Sequence, residues 1–258
     1  MAKKNNTPVR EEHSNKVFQT LSFLDQGERK RLQKYLNSPY FNQSKTLLKL
    51  GDILLDHIER GRKNFDRHLV WQKIFPGEAY DDINFRKYCS DLLGLVEGYL
   101  SHEHLGSNGL KAEISLLDAL VQKRIEPLYQ SAHRSVVKKL GDQPFNQSGY
   151  LDNYLIEKSV YKIRGYDDNV KETKLNIEEM STYLDVFYCI EKLKIFSVAY
   201  SQRRVTDFHY NLNMMDEVLR FVEQYDLNKF PELALSYYSF QILKDEENER
   251  HYFNLKES

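Results

Sequence analysis

Residues that could do chemistry are few and scattered along the 258-residue chain. His102, Glu103 and His104 form the densest histidine cluster. Positions i and i+2 do not share a helix face, so the pair lacks the one-face spacing of a helical zinc site. Ser135 with Lys138, and Ser159 with Lys162, match a serine-x-x-lysine spacing. The companion serine-aspartate-asparagine and lysine-threonine-glycine motifs that such a nucleophile needs are missing. Tyr154 with Lys158 has the spacing of a tyrosine–lysine proton-transfer pair, but that chemistry belongs to a sheet that binds a dinucleotide. Asp81-Asp82, Asp167-Asp168 and Glu178-Glu179 are adjacent carboxylates that point apart, whereas two-carboxylate catalysis needs convergent ones. Neither a Walker loop nor a G-x-G-x-x-G turn occurs, which excludes nucleotide binding by those routes. Cys89 and Cys189 each lie in an apolar helical pattern. They read as two buried thiols, with a disulfide between them as the alternative. The expectation is a protein that is not an enzyme and carries no cofactor or metal.

Two groups of residues suit binding instead. Arg29, Lys30, Arg31 and Lys34 crowd one stretch, and Arg62, Lys63 and Arg67 follow a glycine turn at Gly61. If the two clusters meet they form a phosphate-sized patch for a polyanion. The second group is aromatic, within a total of 18 Tyr, 14 Phe and one Trp. Tyr is amphipathic and serves both helix packing and interfaces. Outward rings among Tyr200, Tyr210, Tyr237, Tyr238 and the Tyr252-Phe253 pair would line a groove for a peptide or partner helix.

The elements that must position these residues are helical. Phe85, Tyr88, Cys89, Leu92, Leu93, Val96, Tyr99 and Leu100 recur at steps of three and four, which predicts a helix over 81–102 capped by Asp81 or Asp82. Leu47, Leu50, Leu54 and Ile58 predict another over 44–60, stopped by Gly61. Asp25 and Glu28 have capping-box spacing for a helix over 26–37. Residues 66–75 read as a short helix ended by Gly77, and 104–109 as a loop. Further helices are expected at about 110–126, 127–140, 148–164, 169–202, 208–225, 231–244 and 247–258. Pro127 either kinks a helix or begins one. Within 169–202, which has the length of one or two helices, Ile177, Met180, Leu184, Phe187 and Tyr188 form one stripe. Strict apolar–polar alternation is absent, so the fold class is all-α.

Composition agrees. The chain is 41% apolar and 29% charged, ordinary for a globular protein. No run approaches the roughly 20 apolar residues of a membrane span. Residues 1–15 carry no apolar core of a secretory signal and read as a disordered tail, so a cytoplasmic location is expected. The near-neutral total hides a split: residues 1–73 carry net +7 and residues 74–258 net −8.

Two local signatures are distinctive. One is Lys34-Tyr35-Leu36-Asn37-Ser38-Pro39-Tyr40-Phe41-Asn42, after Leu21-Ser22 and Glu28. The other is Phe75-Pro76-Gly77-Glu78-Ala79-Tyr80-Asp81-Asp82. Together they resemble the front end of a family of uncharacterised, mostly helical Bacteroidota proteins, best over residues 17–105. The resemblance implies a longer chain that continues into tetratricopeptide-like helices, and it carries no activity, cofactor, partner or site residue. Physically, each signature reads as a helix corner. Pro39 ends one helix and Tyr40 and Phe41 plug the gap, while Pro76-Gly77 turns the chain and Phe75 and Tyr80 pack across it.

The organisation expected is a tail (1–15), a front helical unit (16–105) and antiparallel helix pairs in a tetratricopeptide-like array (110–258). The aromatic ending at 252–255 lacks the polar cap of a terminal repeat, so the chain is expected to be the front of a longer protein. The expected role is a scaffold for a protein partner, without membrane contact. Nucleic-acid binding through the basic front is the alternative.

Overall fold

The computed structural model describes residues 15–141, 148–165 and 174–245. These residues form eleven α-helices and one 3-10 turn, with no strand among them. The fold is all-α. The tail, the Asp167-Asp168 pair, Tyr252-Phe253 and the helix expected at 247–258 lie outside the described residues. The chain divides into two compact units, Met1–Ser107 and Asn108–Ser258.

The first unit holds α1 (Lys16–Ser22), α2 (Gln26–Asn37), α3 (Lys45–Glu59), α4 (Arg67–Ile74) and α5 (Asp82–Ser107). Side chains satisfy the orphan amides at the helix starts. Asp25 and Glu28 form the reciprocal capping box of α2, with both bonds at 2.8 Å. Ser44 caps α3, Asp66 caps α4 and Asp81 caps α5. Each such cap contributes about 1 kcal/mol. Gly61 and Gly77 adopt φ of +70° and +85°, left-handed conformations that a Cβ disfavours, and so end α3 and turn the chain after α4. The core gathers Leu32, Leu36, Leu50, Leu54, Trp71, Phe85, Leu92 and Val96. The Tyr99 hydroxyl ties α5 to α2 by donating to the Glu28 carbonyl at 2.9 Å.

The two corners differ. At the second, Phe75 and Tyr80 pack on Trp71 at centroid distances of 4.6 and 5.9 Å. At the first, Phe41 stacks on Tyr35 at 4.1 Å, but Tyr40 points into solvent and plugs nothing. One ring fills the gap, and the residue before it in the turn faces away.

The second unit holds α6 (Gly109–Lys123), α7 (Glu126–Gly141), α8 (Ser148–Arg164), α9 (Ile177–Arg203), α10 (Met215–Val222), a 3-10 turn (Leu227–Lys229) and α11 (Pro231–Lys244). The expected loop at 104–109 shrinks to Asn108. Helix α5 runs on to Ser107, and Asn108 caps α6 by accepting from the Lys111 amide at 3.1 Å. Pro127 is the second residue of α7, where its missing N–H costs nothing. Residues 177–203 are a single helix. The helix expected at 208–225 is confined to 215–222, because 204–214 runs back beside α9. The Lys192 ammonium donates to the Asn213 carbonyl at 3.0 Å, and the Tyr188 hydroxyl lies 3.7 Å from the Met214 sulfur.

Helix α9 is the centre of this unit, packed against α8, α10 and α11. Its buried face carries Val186, Cys189, Ile190, Leu193, Phe196 and Ala199. A neighbouring cluster joins α6, α7 and α8 through Leu117, Val121, Tyr129, Val136 and Ile156. There the Tyr129 and Ser159 hydroxyls share a buried hydrogen bond of 2.8 Å. No helix of the described residues is long and apolar enough to cross a membrane.

Candidate functional site

Several of the residues with catalytic spacing are occupied structurally. Ser159 is bonded to Tyr129 and to the Ile156 carbonyl, while Lys162 pairs with Asp118 at 3.0 Å, so this serine and lysine do not meet. The Lys158 ammonium sits 5.4 Å from the centroid of the Tyr154 ring, a cation–π contact between successive helical turns. Asp82 accepts from the Tyr80 hydroxyl at 2.8 Å and holds Arg86 at 2.6 Å, and the two contacts, the hydroxyl first, keep its carboxyl below the usual carboxylate range. Glu178 pairs with Lys174 at 2.9 Å. Glu103 pairs with Arg31, and His102 lies against Phe41 at 5.7 Å. Among the described residues, no group of three or more His, Cys, Asp or Glu could hold a metal ion.

The cysteines are free and buried, which rules out the disulfide alternative. Burial, helped by the charge of Asp185, pushes the Cys189 thiol up to about 12. Burial also raises Cys89, opposed by the Asn15 amide that donates to its sulfur at 3.1 Å. Thiol labelling of the folded protein at neutral pH is therefore expected to be on the order of a hundredfold slower than in denaturant. A thiol that labels rapidly under native conditions would contradict this placement.

Several of the basic residues are engaged within the protein. Arg31 is neutralised by Glu103, and Arg67 lies 3.7 Å from Asp82. Arg29 reaches back to the Ser22 carbonyl at 3.4 Å. Arg62 donates to His57 Nε2 at 3.2 Å, while Nδ1 of this buried ring meets the Ile53 carbonyl at 2.8 Å. Both ring nitrogens are thus used within the protein. Arg62 opens on a cleft of about 330 Å³ shared with His57, Phe65, Asp66 and Lys73, and none of the α2 cations lines it. Lys30, Lys34 and Lys63 are exposed.

The tyrosines also separate. Tyr237 is buried, and its hydroxyl donates to Glu223 at 2.9 Å. Tyr200 is half-buried, edge-on to Phe240 at 5.3 Å. Tyr238 is half-buried against Tyr237 at 5.4 Å. Tyr210 alone of the four is exposed, and it bonds Gln202. Core packing claims Tyr237, and Tyr200 and Tyr238 each keep only part of their surface open.

The open apolar surface lies on α9 instead. Ile177 is 51% exposed, Leu184 41%, Tyr188 39%, Ile195 55% and Val198 64%. At 100° per residue, Ile177, Leu184, Tyr188 and Ile195 fall within about 20° of one line along the helix. This ridge lies opposite the face that carries Val186, Ile190 and Leu193. Val205, Phe208 and Met214 add exposed apolar side chains from the strand of chain that runs back along α9. The sequence spacing finds three of the five ridge residues: Ile177, Leu184 and Tyr188 belong to the stripe visible in the primary structure. It does not find which members of the stripe face outward, because α9 is apolar on two sides and periodicity cannot rank them; Phe187 of the same stripe packs on the core. Ile195 and Val198 are the residues missed. Comparisons with protein families, with curated proteins and with solved structures find no match to this chain.

Proposed function

We propose that the chain is a non-enzymatic, cytoplasmic scaffold, a tetratricopeptide-like helical array that docks another protein on the α9 ridge. One observation carries this reading: five large apolar side chains stand in solvent along a helix whose opposite face already fills the core. An aligned apolar surface of that kind marks an interaction site far more often than scattered exposed residues do. Its rigid backing favours binding, since the ridge is ordered before a partner arrives. The array reading is supported by the way consecutive helices pack, α6 on α7 and α8 on α9. The two-residue connection between α6 and α7 suits an antiparallel pair.

The experiment is affinity capture with the wild type and with an Ile195→Ser/Val198→Ser variant. Both positions are exposed, so the variant should keep its helical circular dichroism and melting temperature. Recovery of the partner is expected to fall at least about tenfold, the equivalent of roughly 1.4 kcal/mol. Equal recovery would reject the ridge as the docking surface.

A second reading keeps nucleic acid as the partner. It is favoured by Lys30 and Lys34, exposed one turn apart on α2 and without an ion-pair partner among the described residues. That reading requires affinity that falls steeply with salt and disappears on charge reversal at Lys30, Lys34, Arg62 and Lys63.

A further inference from the structure

We infer that the α9 ridge pairs with the same ridge of a second copy of this chain, the two helices running antiparallel about a two-fold axis beside residue 186. The inference rests on the reading of the ridge as a docking surface and names the occupant. The spacing of four of the five ridge residues is self-complementary; Val198 has no apolar counterpart across position 186. Ile177 and Ile195 are each nine residues from position 186, and Leu184 and Tyr188 are each two. A two-fold axis at that height therefore sets Ile177 against the second copy's Ile195, and Leu184 against its Tyr188. A closed pair with one patch used twice is the commonest way soluble chains self-associate.

The charges choose the direction. From 177 to 186 the helix carries Glu178, Glu179 and Asp185 and no cation. From 187 to 203 it carries Lys192, Lys194 and Arg203, with Glu191 as the single carboxylate, 3.6 Å from Lys194. A parallel pair would align acid with acid and base with base. An antiparallel pair sets the acidic half of each helix beside the basic half of the other and also opposes the helix dipoles. Some of these charges have local partners: Lys174 holds Glu178, and Lys192 bonds the Asn213 carbonyl. The same distribution suits the dipole of a single helix, so the charges alone do not demand a second copy. The symmetric apolar spacing points to one, and the charges then favour the antiparallel arrangement.

The contact involves one helix and its flanking segment. It belongs to the small interfaces, below about 1,200 Å² in total, that form weak and transient complexes. Dimerisation is expected in the micromolar range.

Sedimentation equilibrium of the full chain tests this directly. A concentration-dependent monomer–dimer equilibrium is expected, and Leu184→Lys, which places two ammonium groups close to the axis, should weaken it at least about tenfold. Direction is read by oxidative cross-linking, against the low background of two buried native thiols. A mixture of Ile177→Cys and Ile195→Cys chains should give a covalent dimer. Ile177→Cys alone should not, because its two copies would stand about 27 Å apart along the helices. A monomer at every concentration, a dimer indifferent to Leu184→Lys, or ready cross-linking of Ile177→Cys to itself would each overturn the inference. None of these outcomes touches the docking reading itself, which is decided by partner recovery with the Ile195→Ser/Val198→Ser variant.

Discussion

Phe196→Ala is expected to destabilise the protein by about 3–5 kcal/mol, whereas Ile195→Ser, one residue earlier in the same helix, should change stability by no more than about 0.5 kcal/mol. Both side chains are large and apolar, and a reading by residue type alone would rank them as equals. Their directions differ. Phe196 is fully buried, with Phe240 at 5.8 Å and the Lys192 ammonium 5.1 Å from the centre of its ring. Truncation there removes the transfer free energy of the ring and leaves a cavity between α9 and α11 that a rigid helix cannot collapse to fill. Ile195 is mostly in water already, so polar substitution gives up little burial. Denaturant unfolding followed by far-ultraviolet circular dichroism measures both. Equal losses at the two positions would mean that the ridge is packed rather than open, and the proposed docking surface would fall with it.

How much of this was legible in the sequence depends on which interaction decides each feature. Caps and turns are decided locally, and they were readable: Asp25 with Glu28 and Gly61 work as their residue types require, and Pro127 takes the second of its two readings by standing in the first turn of α7. A helix with one apolar side is also readable, because only one orientation hides it; Phe85, Leu92 and Val96 face the core as their spacing predicts. Orientation stops being local in α9. Its stripe through Ile177, Leu184 and Tyr188 has the same period as the stripe through Val186, Leu193 and Phe196, and the choice between them is made by α8 and α11. The tyrosines show the same limit. Tyr237 and Tyr210 are alike in sequence, yet α11 turns one into the core and the segment after α9 leaves the other outside. The basic residues went the same way, since Glu103 and Asp82 neutralise Arg31 and Arg67 from distant positions that no spacing rule connects.

The organisation of the second unit bears on why a docking surface would sit on α9 rather than elsewhere. A helix held on one side by α8 and α11 cannot rearrange to hide its outer residues. The usual response of a soluble chain to exposed apolar side chains is to repack them, and here that route is closed by the core itself. The ridge is a consequence of using a helix with two apolar faces as the central element, and it is a stable feature rather than a local excursion.

The first unit allows an equally large test with a built-in reporter. Phe85→Ala should cost about 3–5 kcal/mol. Phe85 is buried between two aromatic side chains, with Phe65 at 6.3 Å and Tyr80 at 5.9 Å, and Phe65 in turn meets Phe18 at 5.2 Å. The ring thus links α5, the segment before α4 and α1, and its removal strips contacts from all three at once. Ile83, in the first turn of the same helix, is exposed, and Ile83→Ser should be nearly neutral. Trp71 is the only tryptophan in the chain and lies buried in the same core, 5.9 Å from Tyr80. Its fluorescence therefore reports the unfolding of this core without interference from the second unit. The transition seen by fluorescence should move to lower denaturant in Phe85→Ala and stay in place in Ile83→Ser. If Phe85→Ala leaves that transition where it was, then α5 does not dock through this ring, and the aromatic corner built by Phe75, Tyr80 and Trp71 would have to hold the unit together without it.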